Sequence, residues 1–341
     1  MSMVENGQYK KGGFIMNKNI LTIMLVLIML FSITAVSFAA DRQYYFVGAV
    51  LGHPYMIDMK LGIQYASEKL DVNLDIIGPQ AWDMAAQAEA LEQTIAKNPD
   101  GIIMPLWDGT VVPGIKKAMS RGIPVVTVES TVPGSGALSY VGLDNYQAGV
   151  AAGKEIISRA GNSGKLGVVM NAGAANTELK KEGLLDTLKD TDWEVVSFAE
   201  SEGDPQKATE SSKAMFKSNS DITAAVALDS GGSTGLGLAV EELNNKEGML
   251  IVGSDREDIT LEYIDKGLMD CTIVAKTALM PYFALVMLED YNNRVQNDVP
   301  ISSNNKEANI ASAPEKCYVG TVVVDSDNIK YFLRKNMPEV K

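Results

Sequence analysis

Residues 122–149, GIPVVTVESTVPGSGALSYVGLDNYQAG, decide how the rest of the chain is read. Ile123 to Val128 is an apolar, largely β-branched run that ends on a carboxylate, Glu129. That is the pattern of a strand buried on both faces. A Pro/Gly/Ser-rich turn follows from Thr131 to Gly136. A second short apolar run, 140–143, then ends on Asp144-Asn145, and a helical pattern begins at Tyr146. The passage reads as the last strand of one α/β unit, with a ligand-facing carboxylate at its tip, and the strand that carries the chain into a second unit.

The same cadence extends both ways. Upstream, strands are expected over 44–51, 72–77 and 101–104, separated by helices over 54–70, 84–97 and 111–120. Downstream, helices at 146–160, 177–189, 205–218, 233–243 and 259–267 alternate with strands at 165–170, 194–199, 222–228, 249–253 and 271–274. A long helix over 281–295 and one late strand over 318–324 follow. Strands alternating with helices of this length predict parallel sheets covered on both faces. The halves echo each other: GIIMPLWDG at 101–109 matches TAAVALDSGG at 223–232, and IPVVTVES at 123–130 matches MLIVGSDR at 249–256. The expected fold class is therefore α/β, with two doubly wound parallel-sheet domains and one cleft between them. A chain of 341 residues agrees with two domains.

Hydrophobic residues make up 46% and charged residues 21%, and the formal net charge is -13. Such an acidic chain argues against nucleic acid and an anionic membrane surface as partners. A lone histidine, His53, nearly excludes a Ser-His-Asp triad and a histidine metal site. Two other apparent motifs fail. The glycine-rich run 231–237 lacks the lysine and spacing of a phosphate loop. Asp325-Ser326-Asp327-Asn328 lacks the glycine and glutamate of a calcium loop. No metal and no cofactor are expected.

Lys18, the apolar run from Ile20 to Phe31 and the small residues before Ala40 read as an export signal cleaved near Ala39. Translation is expected to start at Met16, with residues 1–15 a miscalled extension. No lipoprotein cysteine stands at the cleavage site. Export permits a disulfide between Cys271 and Cys317; two buried thiols are the alternative.

In doubly wound sheets, ligands lie beyond the carboxyl ends of the strands. That rule selects His53 and Tyr55 after the first strand, Trp107 and Asp108 after the third, and Glu129 after the fourth. In the second half it selects Asn176, Lys180, Asp229 with Ser230, and Asp255 with Arg256. Carboxylates with aromatic rings suit a small neutral polyol, because vicinal hydroxyls donate to carboxylates and aromatic faces cover C–H patches. Each residue also has a structural reading. Asp229 and Asp255 would serve as helix N-caps, Lys180 as a solvated neighbour of Lys181, His53 as a partner of its own loop, and Tyr55 and Trp107 as packing residues. Trp82 is either a roof over the cleft or a surface residue.

VGAVLGHPYMIDMKLGIQYA, DGIIM, GIPVVTVES, YVGLDNYQAGVAAG and MLIVGSD, in this order behind the export signal, resemble the ribose-binding type of sugar ABC transporter solute-binding proteins. The resemblance implies a type I periplasmic-binding-protein fold with a three-strand hinge. It places 42–143 and 276–312 in an N-terminal lobe, and 144–275 and 313–341 in a C-terminal lobe. By position it carries binding roles to His53-Pro54-Tyr55, Glu129-Ser130, Lys180, Asp229 and Asp255. Departures at Pro105, Ala275 and Gly203 argue against ribose and lean toward a 6-deoxyhexose such as rhamnose, or an autoinducer-like furanose. The implied protein is a monomer and not an enzyme. It sits in the periplasm or on the extracellular face and delivers a monosaccharide to an ABC permease. Two alternatives stay open. One is a ligand-sensing partner of a chemoreceptor or sensor kinase. The other is an exported glycosidase using Asp108 with Glu129.

Overall fold

The computed structural model describes residues 42–53, 55–293, 299–305, 307, 308, 310 and 313–336. The export signal, the start at Met16 and Pro54 lie outside them. The chain opens with strands β1 (Gln43–Val47), β2 (Asn73–Ile77), β3 (Gly101–Pro105), β4 (Val125–Glu129) and β5 (Ser139–Gly142), interleaved with helices α1 (Met56–Leu70), α2 (Met84–Ala96) and α3 (Val112–Ser120). It continues through α4 (Asn145–Ala160), β6 (Ser163–Met170), α5 (Ala175–Leu188), β7 (Asp192–Glu200), α6 (Pro205–Ser218) and β8 (Ala224–Ala227). Then follow α7 (Ser230–Leu243), β9 (Leu250–Ser254), α8 (Asp258–Asp265), β10 (Cys271–Ala275), α9 (Leu279–Asn292), β11 (Lys316–Tyr318) and β12 (Thr321–Asp325).

These strands build two six-stranded sheets, in the orders β11-β5-β4-β3-β1-β2 and β12-β10-β9-β8-β6-β7. The first is parallel throughout. The second is parallel except for β12, which runs antiparallel to β10. Both are covered on both faces, which explains the unbroken apolar runs. In β1, Tyr44 and Phe46 enter one core under α1 and α9, while Tyr45 and Val47 enter another under α2 and α3. Successive strand residues point to opposite faces, so a strand with two buried faces shows no polar alternation. The expected fold class holds: two doubly wound α/β lobes linked by three passages of chain.

The passages follow β5, β10 and β11. The third corrects the sequence reading, which put one late strand over 318–324 and began the second lobe's last segment at residue 313. Lys316–Tyr318 pairs with β5 in the first sheet, and Val319 N–H still donates to Gly142. Gly320, at φ 71°, then turns the chain so that Thr321 starts β12 in the second sheet. Glycine adopts this left-handed conformation without the Cβ clash other residues meet. Continuous apolar sequence thus conceals a change of sheet. The glycine-rich run 231–237 corrects another boundary: it lies inside α7, which starts at Ser230 because Asp229 accepts from Gly232 N–H at 2.7 Å as its N-cap.

The two cysteines do not bridge. Cys271 opens β10 in the second sheet and is buried, Cys317 lies in β11 of the first, and both thiols are free.

Candidate functional site

A cavity of about 220 Å³ lies between the lobes at the carboxyl ends of both sheets. That is below the ~300–1,000 Å³ of pockets for drug-sized ligands, the scale of one small molecule. Each lobe supplies about half of its wall. From the first lobe come His53 and Tyr55 beyond β1, Trp107 beyond β3 and Glu129 at the end of β4. From the second come Asn176 and Lys180 on α5, Asp229 beyond β8 and Asp255 beyond β9. Asp108 does not join them. It is exposed, and its Oδ1 accepts from Thr110 N–H at 2.7 Å, closing an Asx turn. The carboxylate pair of Asp108 and Glu129 is therefore not assembled around one cavity.

Glu129 and Asp255 occupy equivalent places, at the tips of the fourth strand of each repeat. Both have φ 66°, a conformation uncommon for residues with a Cβ. Strain of this kind persists where the surroundings impose it, often at ligand sites. Glu129 Oε2 accepts from the Tyr55 hydroxyl. Burial raises the Glu129 carboxyl above its usual range, and Asp255 adds to this, while Tyr55 and Lys180 oppose it. Burial, and then Glu129, push the Tyr55 phenol well above its usual value, so it stays a donor. Burial also raises Asp255; Lys180 opposes that shift and Asp229 adds to it. The capping role considered for Asp255 does not arise, since Glu257 occupies the N-cap of α8.

Asp229 lines the cavity and also caps α7. Its Oδ2 accepts from Asn171 N–H at 3.0 Å and from the Ser201 hydroxyl at 2.9 Å, while Oδ1 takes the Gly232 N–H. It thus joins the ends of β6 and β7 to α7. Lys180 is 7% exposed, so the solvated reading fails. Its Nζ donates to the Leu228 carbonyl at 3.0 Å. Helices α4 and α5 hold it there by backbone contact: a Cβ on Gly149 would stand 1.9 Å from Lys180 O, and one on Gly183 2.0 Å from Tyr146 O. His53 lines the cavity, and its Nδ1 accepts from Tyr55 N–H at 3.2 Å, the loop partnership the sequence offers.

Trp82, left open by the sequence, forms one wall with Trp107; their ring centroids are 4.9 Å apart at 43°. Val50, Leu143, Asn145, Ser230 and Ala275 complete the lining. The strand-end rule reaches Ser230 beside Asp229; for the other four it points to the loops but not to the side chains. Beneath the cavity, buried Gln87 on α2 donates through Nε2 to Val47 O at 3.1 Å and Pro105 O at 3.0 Å, tying the tips of β1 and β3 together. A lone glutamine in a helical pattern carries no signal of that role.

Behind the cavity an ion cluster joins the lobes. Asp58, in the first turn of α1, accepts from Arg256 Nε at 2.8 Å and Nη2 at 2.5 Å, and from Arg334 Nη1 at 2.5 Å. Arg256 Nη1 also donates to Phe332 O at 2.8 Å. The strand-end rule reaches Arg256 beside Asp255, but its pairing with Asp58 is not readable from the sequence.

Residues 44–294 match the family model of the periplasmic binding protein domain. The chain is 25% identical over 263 residues to the D-allose-binding periplasmic protein of Escherichia coli, covering 74% of this chain and 85% of that one. Among solved structures it resembles AraP, an arabinose binding protein from Geobacillus stearothermophilus, with TM-score 0.79 and 28% identity over 86% of this chain and 99% of that one. It also resembles the sugar-binding protein of a sugar ABC transporter from Bacillus halodurans, with TM-score 0.80 and 25% identity over 86% and 100% of the two chains. With two doubly wound lobes, three passages between them and a cavity at facing strand tips, the chain belongs to the periplasmic binding protein domain family.

Proposed function

We propose that this protein captures a single monosaccharide-sized ligand in the interlobe cavity outside the cytoplasm, closes over it, and presents it to an ABC permease. The observation that carries this reading is the cavity itself: carboxylates from both sheets, Glu129 and Asp255, face one volume of about 220 Å³ walled by Trp82 and Trp107. Carboxylates accept paired hydroxyl donors, aromatic rings cover the apolar face of a sugar ring, and two lobes joined at a hinge close around ligands. The binding roles of His53, Tyr55, Trp107, Glu129, Asn176, Lys180, Asp229 and Asp255 belong to this proposal. The tryptophan wall and Ala275, with no polar side chain, support a ring that has lost a hydroxyl, of the 6-deoxyhexose class. A buried polar group facing such a wall would lose about 1–3 kcal/mol.

A thermal-shift panel of ribose, glucose, allose, arabinose, xylose, rhamnose and fucose tests the reading. A sugar at 100 times its dissociation constant adds about 2.7 kcal/mol to stability. A saturable shift with at least one sugar is expected. Turnover of a glycoside by the purified protein would replace capture with catalysis.

A further inference from the structure

The charges lining the cavity do not balance. Among the described residues that line it, Glu129, Asp229 and Asp255 stand against one cation, Lys180, and no arginine. Asp229 is met within its own lobe by two backbone N–H groups and the Ser201 hydroxyl, one of those N–H groups belonging to the first turn of α7. A helix N-terminus favours a negative charge. Glu129 and Asp255 then remain, with Lys180 between their fields. Tyr55 donates one hydrogen bond to Glu129. Among the described residues no donor reaches the Asp255 carboxylate, and no cation lies in ion-pair contact with either acid. Lys180 Nζ is turned to the Leu228 carbonyl.

Closure over a neutral ligand would therefore seal one uncompensated negative charge in a water-poor site. Removing an unpaired charge from water costs several kcal/mol. A ligand carrying one positive charge cancels the excess, and its N–H groups supply the donors that Asp255 lacks. The tilted Trp82–Trp107 pair is compatible with either end of such a molecule, since indole faces accept both C–H surface and cations.

We infer that the ligand is an amino sugar or an aminated cyclic polyol: its protonated amine sits between Asp255 and Glu129, and its less polar edge lies against Trp82 and Trp107. This rests on the monosaccharide-capture reading and replaces the neutral ligand expected from the sequence. The groups facing the ammonium are Glu129 and Tyr55 from the first lobe and Asp255, Asp229 and Lys180 from the second, with His53 at the rim. Asp255 is the specificity-determining residue. A hydroxyl in place of the ammonium leaves its charge unmatched, and an acetamide removes both the charge and two of the donors.

The test is calorimetry at pH 7 with glucosamine, galactosamine and mannosamine, each beside its parent hexose and its N-acetyl form, with rhamnose and fucose as neutral controls. At least one amine is expected to bind tenfold or more tightly than both of its neutral counterparts, and Asp255→Asn is expected to abolish that preference. A neutral sugar that binds while no amine exceeds its parent overturns this inference and leaves the capture of sugars standing. No binding by any member of this panel overturns the inference, and the capture of sugars then stands or falls by the neutral panel above.

Discussion

Replacing Asp58 with alanine tests whether the lobes are held together by the ion cluster behind the cavity. Asp58 belongs to α1 of the first lobe, while Arg256 follows β9 of the second and Arg334 lies in the segment after β12. The side chains of Asp58, Arg256 and Arg334 are 11%, 10% and 21% exposed, so solvent does not screen them as it screens a surface pair. Truncating one partner of a buried pair costs about 3–5 kcal/mol, because a charge is left buried and alone. Separation of the lobes would rehydrate both guanidinium groups, so the cost falls mainly on the closed form. At about 1.4 kcal/mol per tenfold, a loss of about 3 kcal/mol predicts roughly 100-fold weaker capture by Asp58→Ala. The free protein would also shift toward open conformations, and Asp58→Asn should be milder. The assay is calorimetry with the sugar that saturates the wild type, beside small-angle scattering of free and loaded protein. Wild-type affinity together with a wild-type radius of gyration in both states would refute the reasoning. The pH dependence has a definite sign. Burial raises the Asp58 carboxyl, but the hydrogen bonds and charges of Arg256 and then Arg334 outweigh it, and the folded value lies below the ordinary one. Its stabilisation is therefore complete above the ordinary carboxylate value of about 4 and is lost as pH falls below that toward the depressed value.

The cavity acids behave oppositely. Glu129 and Asp255 are raised by burial, so their contribution is complete below the ordinary carboxylate range and is lost as pH rises through the elevated values. On this account the melting temperature of the ligand-free protein should fall as pH rises from the ordinary carboxylate range toward neutrality. Asp255→Asn should raise its melting temperature at pH 7 while impairing capture; a lower melting temperature would contradict the burial argument. Asp229→Ala removes an N-cap and strands two further donors. Chemical denaturation should show a loss of about 2–4 kcal/mol, whereas a loss under 0.5 kcal/mol would mean the junction carries little. Burial pushes the Cys271 thiol up to about 12, so iodoacetamide should label Cys317 in the native protein and Cys271 only after unfolding. Finding a Cys271–Cys317 disulfide by mass spectrometry would contradict their placement in separate sheets.

The sequence by itself determined the two α/β lobes and most of the cavity. Strand cores such as Ile123 to Val128 are apolar because both faces are buried, and that pattern is local enough to read along the chain. The rule that ligands sit beyond strand tips then led to Tyr55, Trp107, Glu129, Lys180, Asp229 and Asp255, all of which line one volume. Asp108 satisfied the same rule, but its carboxylate is taken by Thr110 two residues on. Choosing between a loop donor and a ligand depends on side-chain direction, which periodicity does not encode. Tertiary structure alone decided what depends on pairing between distant segments. It separated Lys316–Tyr318 from Thr321–Asp325 into different sheets across Gly320, and so kept the cysteines apart. It joined Asp58 to Arg256, 198 residues away. It also gave Asp229 three donors from its own lobe and, among the described residues, none to Asp255. The charge left over in the cavity follows from that last difference, because a carboxylate's environment is set by what the fold brings to it and not by its neighbours in sequence.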